Sequence, residues 1–185
     1  TTVVVGNCGV GFAPVQPERR DQLIHLMEGV EDIPGSALSE GITWDWVTFP
    51  EFLDALDRRE WTMDVATQIT HGPLRVWVMG DRAVGDNAPT VEEAAEMARL
   101  VGEALDVGAL GFSTSRTYAH QAPDGTYVPG THADHDELWP IAAAMADRGR
   151  AVFEVSPLGV VGSDPEDVLK ELDWMRQLSL EFGLT

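Results

Sequence analysis

Four short apolar runs, each handed on to a segment of helical character, constrain the fold of this chain more than any other feature. The runs are Thr1–Val5 (TTVVV), the alternating stretch Met63–His71 (MDVATQITH), Ala109–Ser113 (ALGFS) and Ala151–Val155 (AVFEV). The clearest helical segment, PTVEEAAEMARLVGEALDVG, carries a capping box at Thr90 and Glu93 and closes at Gly108. Others are expected over PERRDQLIHLMEG, from Thr48 to Asp57, from about Asp136 to Arg148, and from Ser163-Asp164-Pro165-Glu166 to Gly183. Strand and helix in strict alternation imply an α/β fold with a parallel sheet and helical crossovers. Open doubly wound sheets and closed (β/α) barrels both produce that order. The long connections, 6–16, 72–88 and 114–133, follow strand ends, where a barrel keeps its active-site loops. A further long loop is expected over 30–46.

Composition narrows the setting. A hydrophobic fraction of 44% and a charged fraction of 23% suit a soluble globular domain, and 185 residues suffice for one core. Twelve basic against 31 acidic residues give a formal charge of −19, a field that repels nucleic acid and anionic membranes. No apolar run approaches the ~20 residues of a membrane-spanning helix. A single cysteine forms no internal disulfide, and with no leader-like segment the expected location is the cytoplasm. Thr1 already opens a strand of core character, so the chain is expected to be an internal piece of a longer protein.

That cysteine sits in Gly6-Asn7-Cys8-Gly9, at the C-terminal end of the first strand. Three readings are open: a small buried core residue, a soft metal ligand, or a nucleophile using His71 as base. His71 follows the second strand in Thr-His-Gly-Pro, as an active-site group or as a histidine bonded to loop backbone. Ser113, Thr114, Ser115 and Arg116 end the third strand, where polar groups hold substrate atoms; His71, Ser113 and Arg116 are the substrate-binding candidates. His132 and His135 have metal-pair spacing, but they lead into a helix capped by Asp134 and no cysteine or third histidine joins them. No G-x-S-x-G elbow is present, which excludes the usual serine hydrolase.

Taken in order, TTVVVGNCGVGFAPV, THGPLRVWVMG and EALDVGALGFSTS resemble the D-aminoacylase branch of the amidohydrolase superfamily, the N-acyl-D-amino-acid deacylases and their relatives. The resemblance implies a (β/α)8 barrel of the metal-dependent hydrolase kind, with residues 1–185 as the central part of one catalytic barrel and about four βα units present. It implies zinc at the C-terminal rim, with Cys8 in the place of the family's ligand cysteine. It implies hydrolysis of a linear, non-peptide amide in a small N-acyl amino acid. The family's His-x-His pair, a later histidine ligand and the aspartate base would lie outside residues 1–185, so no catalytic residue is assigned within them.

One departure stands out. Where characterised deacylases end the fourth strand in a metal-binding histidine, this chain reads AVFEVSP. Simple alignment places Val155 there, with Glu154 beside it. Glutamate ligates zinc, but one residue of register turns a side chain to the opposite side of a strand. A divergent barrel with a binding role is the alternative reading.

Overall fold

A computed structural model describes residues 1–149, 151–159 and 164–185. Strand β1 (Thr2–Val5) pairs in parallel with β2 (Asp64–Thr67). Strands β3 (Ile69–Thr70), β4 (Gly111–Ser115) and β5 (Val152–Ser156) pair in parallel in that order. Gln68 separates β2 from β3, yet pairing continues across it. The Gln68 N–H donates to the Val5 carbonyl at 3.0 Å, and the Leu110 N–H to the Thr67 carbonyl at 2.9 Å. Strand order therefore follows chain order, without the reversal that marks the ligand crevice of a doubly wound sheet.

Seven helices accompany the strands among the described residues: α1 (Arg20–Glu31), α2 (Gly35–Gly41), α3 (Phe49–Asp57), α4 (His71–Met79), α5 (Val91–Asp106), α6 (His135–Ala146) and α7 (Pro165–Phe182). Capping boxes open α3 and α5. Thr48 and Thr90 accept the N–H of Glu51 and Glu93, whose carboxylates accept the threonine N–H in return. Helix α5 buries Ala94, Met97, Val101 and Ala104 and packs on α6, which buries Leu138, Ile141 and Met145. Each of the larger side chains contributes about 1.5–3 kcal/mol on leaving water. Asp134 caps α6 and Asp164 caps α7, while the Ser163 of the expected cap lies outside the described residues.

Two expected loops contain helices. In 72–88, α4 begins at the very histidine that was read as ending a strand. Gly72 and Pro73 fall in its first turn, where an amide N–H has no partner within the helix, so proline removes no hydrogen bond. From His71 to Val76 every residue is buried, which erases the one-sided apolar stripe that reveals a helix. In 30–46, α2 buries none of its residues and so carries no stripe either.

The strands have two distinct faces. Ile69, Phe112 and Phe153 point outward to the helices: Phe112 packs against Phe153 at 5.2 Å between ring centroids and against His71 at 5.0 Å, and Phe153 meets Trp174 of α7 at 6.4 Å. Their neighbours Thr70, Ser113 and Glu154 point to the inner face, over which the turn after β1 folds. Strand β1 is exposed throughout. No helix among the described residues is long and apolar enough to cross a membrane.

Candidate functional site

The turn after β1 presents its cysteine in an unusual backbone conformation. Gly6, Cys8 and Gly9 all have positive φ, at 88°, 59° and 71°. Glycine tolerates this region, whereas cysteine adopts it at a cost. A side chain at Gly9 would lie 2.7 Å from the Ser115 nitrogen and 2.8 Å from the Thr114 Cα, so glycine is what lets the turn lie against β4. Ser113 fixes the turn from below: its hydroxyl accepts from the Gly9 N–H at 3.1 Å and donates to the Gly6 carbonyl.

Glu154 reaches the same turn from β5. Its carboxylate accepts from the Cys8 N–H at 3.4 Å and from the side-chain amide of Gln68, which also approaches the Asn7 side chain at 3.4 Å. Burial pushes the half-buried Cys8 thiol up from its ordinary range; the carboxylates of Glu154 and Glu31 add to the rise, and the Ser156 hydroxyl partly offsets it. Val155 faces the other way, where it lines a pocket of about 150 Å³ with Phe153, Trp174 and Leu178. Among the described residues no three His, Cys, Asp or Glu side chains gather as a complete metal site. What Cys8 and Glu154 supply is sulfur and oxygen on one face, chemistry that suits zinc as part of a larger donor set.

His71 belongs to the opposite face. It is fully buried. Its Nδ1 accepts from the Thr114 hydroxyl at 2.8 Å and its Nε2 donates to Glu137 at 2.8 Å. Burial holds the imidazole below its usual pKa, hence neutral. Glu137, itself buried, is also paired with buried Arg75, whose guanidinium donates to the Asn87 carbonyl at 2.7 Å. With both ring nitrogens engaged, His71 has none to offer Cys8, and the cysteine–histidine nucleophile is set aside.

The other expected residues are also committed within the chain. Ser113 is fully buried under the turn. Arg116, mostly buried, shares its Nε–H between the two carboxylate oxygens of Glu171 at 2.9 and 3.0 Å and stacks over Trp174. His132 and His135 diverge, the first toward Asp86 at 3.2 Å and the second stacked on Trp139 at 4.2 Å. Two further inner-face groups, Gln68 and His120, belong to no motif in the sequence. Gln68, a buried amide between two short strands, carried a signal in its polarity amid apolar alternation. His120 carried one in its place just past a strand end; it bonds the Ser115 hydroxyl at 2.7 Å, and burial lowers its pKa.

The chain thus offers a thiol at a strand end, with a carboxylate on the same face and strands in chain order. No family model matches the chain. D-aminoacylase of Alcaligenes xylosoxydans xylosoxydans is 36% identical over 149 residues, 80% of this chain and 26% of that protein. The chain is a homologue of the D-aminoacylases. An N-acyl-D-aspartate deacylase of the same organism is 32% identical over 154 residues, 83% of this chain and 26% of that protein. An uncharacterised protein of Mycobacterium tuberculosis is 31% identical over 157 residues, 81% of this chain and 25% of that one. N-acyl-D-glutamate deacylase from Bordetella bronchiseptica, solved with zinc and a phosphonate inhibitor, superposes with a TM-score of 0.68 at 27% identity. A D-aminoacylase structure described as defining a novel subset of amidohydrolases does so at 0.68 and 26%. Both solved structures cover all of this chain, which covers 33% of each. The chain thus spans about a quarter of the length of these curated relatives.

Proposed function

We propose that this chain is the central part of a zinc-dependent amidohydrolase barrel, about four of its eight βα units, acting on an N-acyl-D-amino acid. The observation that carries the reading is the positive-φ turn that offers the Cys8 sulfur at the C-terminal end of β1, in a chain homologous to D-aminoacylases. Parallel strands in chain order, with helices on the outer face and a polar inner face, support the barrel. The apolar run of β1, exposed along its whole length, suits a barrel strand that has neighbours beyond the one it pairs with here.

In this reading Cys8 is a zinc ligand. Bound zinc supplies a water of pKa ~7 and polarises the scissile carbonyl. The chain's own part is to position. Gly9 and Ser113 lock the turn to β4, so that the sulfur is held before any cation arrives. His71 acts one layer further out, tying α4 and α6 to Thr114 behind the site. Arg116 likewise holds the loop after β4 to α7.

Turnover of N-acyl-D- and N-acyl-L-amino acids by the full-length protein, with zinc content measured alongside, tests the proposal. Cys8→Ala is expected to lose both zinc and activity. Equal zinc and equal turnover in the variant remove Cys8 from the site. A folded, zinc-free protein without turnover supports the divergent, binding barrel.

A further inference from the structure

Resting on the reading of Cys8 as a zinc ligand, we propose that Glu154 is a second protein ligand of the same cation, its carboxylate standing where the deacylase pattern calls for an imidazole. Sequence alignment alone favours Val155 at that place, but the strand register decides otherwise. Glu154 pairs with Ser113, and Ser113 is bonded to the Cys8 turn; Val155 pairs with Thr114, whose hydroxyl meets His71 on the outer face. Alternation along β5 therefore sends the carboxylate toward the turn that carries Cys8 and the valine toward the helices.

The carboxylate is also prepared for a ligand's work. The Gln68 amide holds one oxygen, and the other lies 3.4 Å from the Cys8 N–H, a long contact that leaves lone pairs free on the side of the turn. Gln68 is 3% exposed, and its own side-chain oxygen has no hydrogen-bond partner among the described residues. An orphaned buried acceptor beside the Glu154 carboxylate and the turn that carries Cys8 is costly in a closed core. It is satisfied when a hydrated cation occupies the space between them. A thiolate and a carboxylate are together suited to zinc and match its tolerance for mixed sulfur and oxygen donors.

Cobalt substitution in the full-length protein separates this proposal from the one beneath it. The native chain is expected to take up cobalt with a thiolate-to-metal charge-transfer band, and Cys8→Ala to lack that band. Glu154→Gln is expected to keep the band, to shift the ligand-field bands and to bind at least about 10- to 100-fold more weakly, the loss typical of a mere outer-shell partner. Glu154→His should regain affinity, and Val155→Ala should match the native chain. Native affinity and an unchanged spectrum in Glu154→Gln overturn the glutamate while leaving Cys8 in place. A native chain that binds cobalt without the thiolate band overturns the cysteine reading and this proposal with it. Should Glu154→Gln lose its native circular dichroism, Glu154→His decides: a native fold with restored affinity upholds the proposal, and a native fold without it overturns it.

Discussion

The backbone N–H of Cys8 donates to the carboxylate of Glu154 across 3.4 Å, joining a turn near the start of the chain to a strand 146 residues later. That contact brings the first and last strands' chemistry onto one face although β1 and β5 do not pair. It depends on three close fits: the glycines that let the turn lie flat, the Ser113 hydroxyl beneath it, and the Gln68 amide beside it. None of the three is itself a cation ligand in the reading given above. Together they fix where the two donors stand.

Cysteine at φ 59° carries a backbone cost that glycine does not. Cys8→Gly is therefore expected to be more stable than Cys8→Ala in metal-free buffer, by about 1 kcal/mol. At most positions the order is reversed. Urea midpoints of the two variants measure the difference. A Cys8→Ala variant as stable as Cys8→Gly would mean that the turn relaxes and stores no strain.

At Gly9 both conformation and space forbid a side chain. Gly9→Ala forces a Cβ to within 2.7–2.9 Å of the Thr114–Ser115 backbone. The expected loss is roughly 2–4 kcal/mol. Because the turn must lift off β4, the Gly9 N–H also leaves the Ser113 hydroxyl. Denaturant unfolding gives the stability, and amide exchange at Gly9 should accelerate out of proportion to the global loss. A loss below half a kilocalorie would show that the turn is not held against β4.

Much of this architecture was legible in the sequence, for identifiable reasons. The alternation of apolar runs and capped helices gave the parallel α/β order, because Thr48 with Glu51 and Thr90 with Glu93 are local signals that tertiary packing did not override. Helix α4 was hidden because its first turn carries Gly72 and Pro73 and its surface is buried almost all round. Cys8 could be singled out from its glycine-flanked turn. The choice between Glu154 and Val155 could not, since it rests on register against β4, which is a property of two strands and not of one. His71 looked like a site residue for a related reason. Its sequence position at a strand end is right, but the strand's outer face is where its ring went.

The buried group behind the site has its own signature. Glu137 bonds His71 and Arg75, all three nearly inaccessible to water. Glu137→Gln keeps the shape but leaves the Arg75 guanidinium without a countercharge. The expected cost is about 3–5 kcal/mol. Adding Arg75→Met to that variant should recover part of the loss, because the orphaned charge is then gone. Urea unfolding of the two single variants and the double variant closes the cycle. Additive losses would show that the pair is not coupled.

The same network fixes how stability responds to acid. Burial holds His71 below its ordinary pKa, so the folded chain resists a proton that the unfolded chain accepts near pH ~6.5. Burial alone would raise Glu137, yet His71 and Arg75 hold its carboxyl below the usual range, so it too binds its proton more readily when unfolded, near pH ~4.3. Both groups therefore contribute fully above their unfolded pKa values and lose that contribution as the pH falls. His71 acts first, below about pH 6.5, with a slope of at most about 1.4 kcal/mol per pH unit. Acid also relieves self-repulsion in a chain of charge −19, which works in the opposite direction. That second effect is common to native protein and a His71→Gln variant, so the difference between them isolates the imidazole. Urea midpoints at pH 7.5, 6.0 and 5.0 should fall more steeply for the native chain, with the two profiles converging toward pH 5. Parallel profiles would mean that the buried ring takes up its proton without penalty, and that the neutral His71 bridging Thr114 and Glu137 is not the state that holds α4 and α6 together.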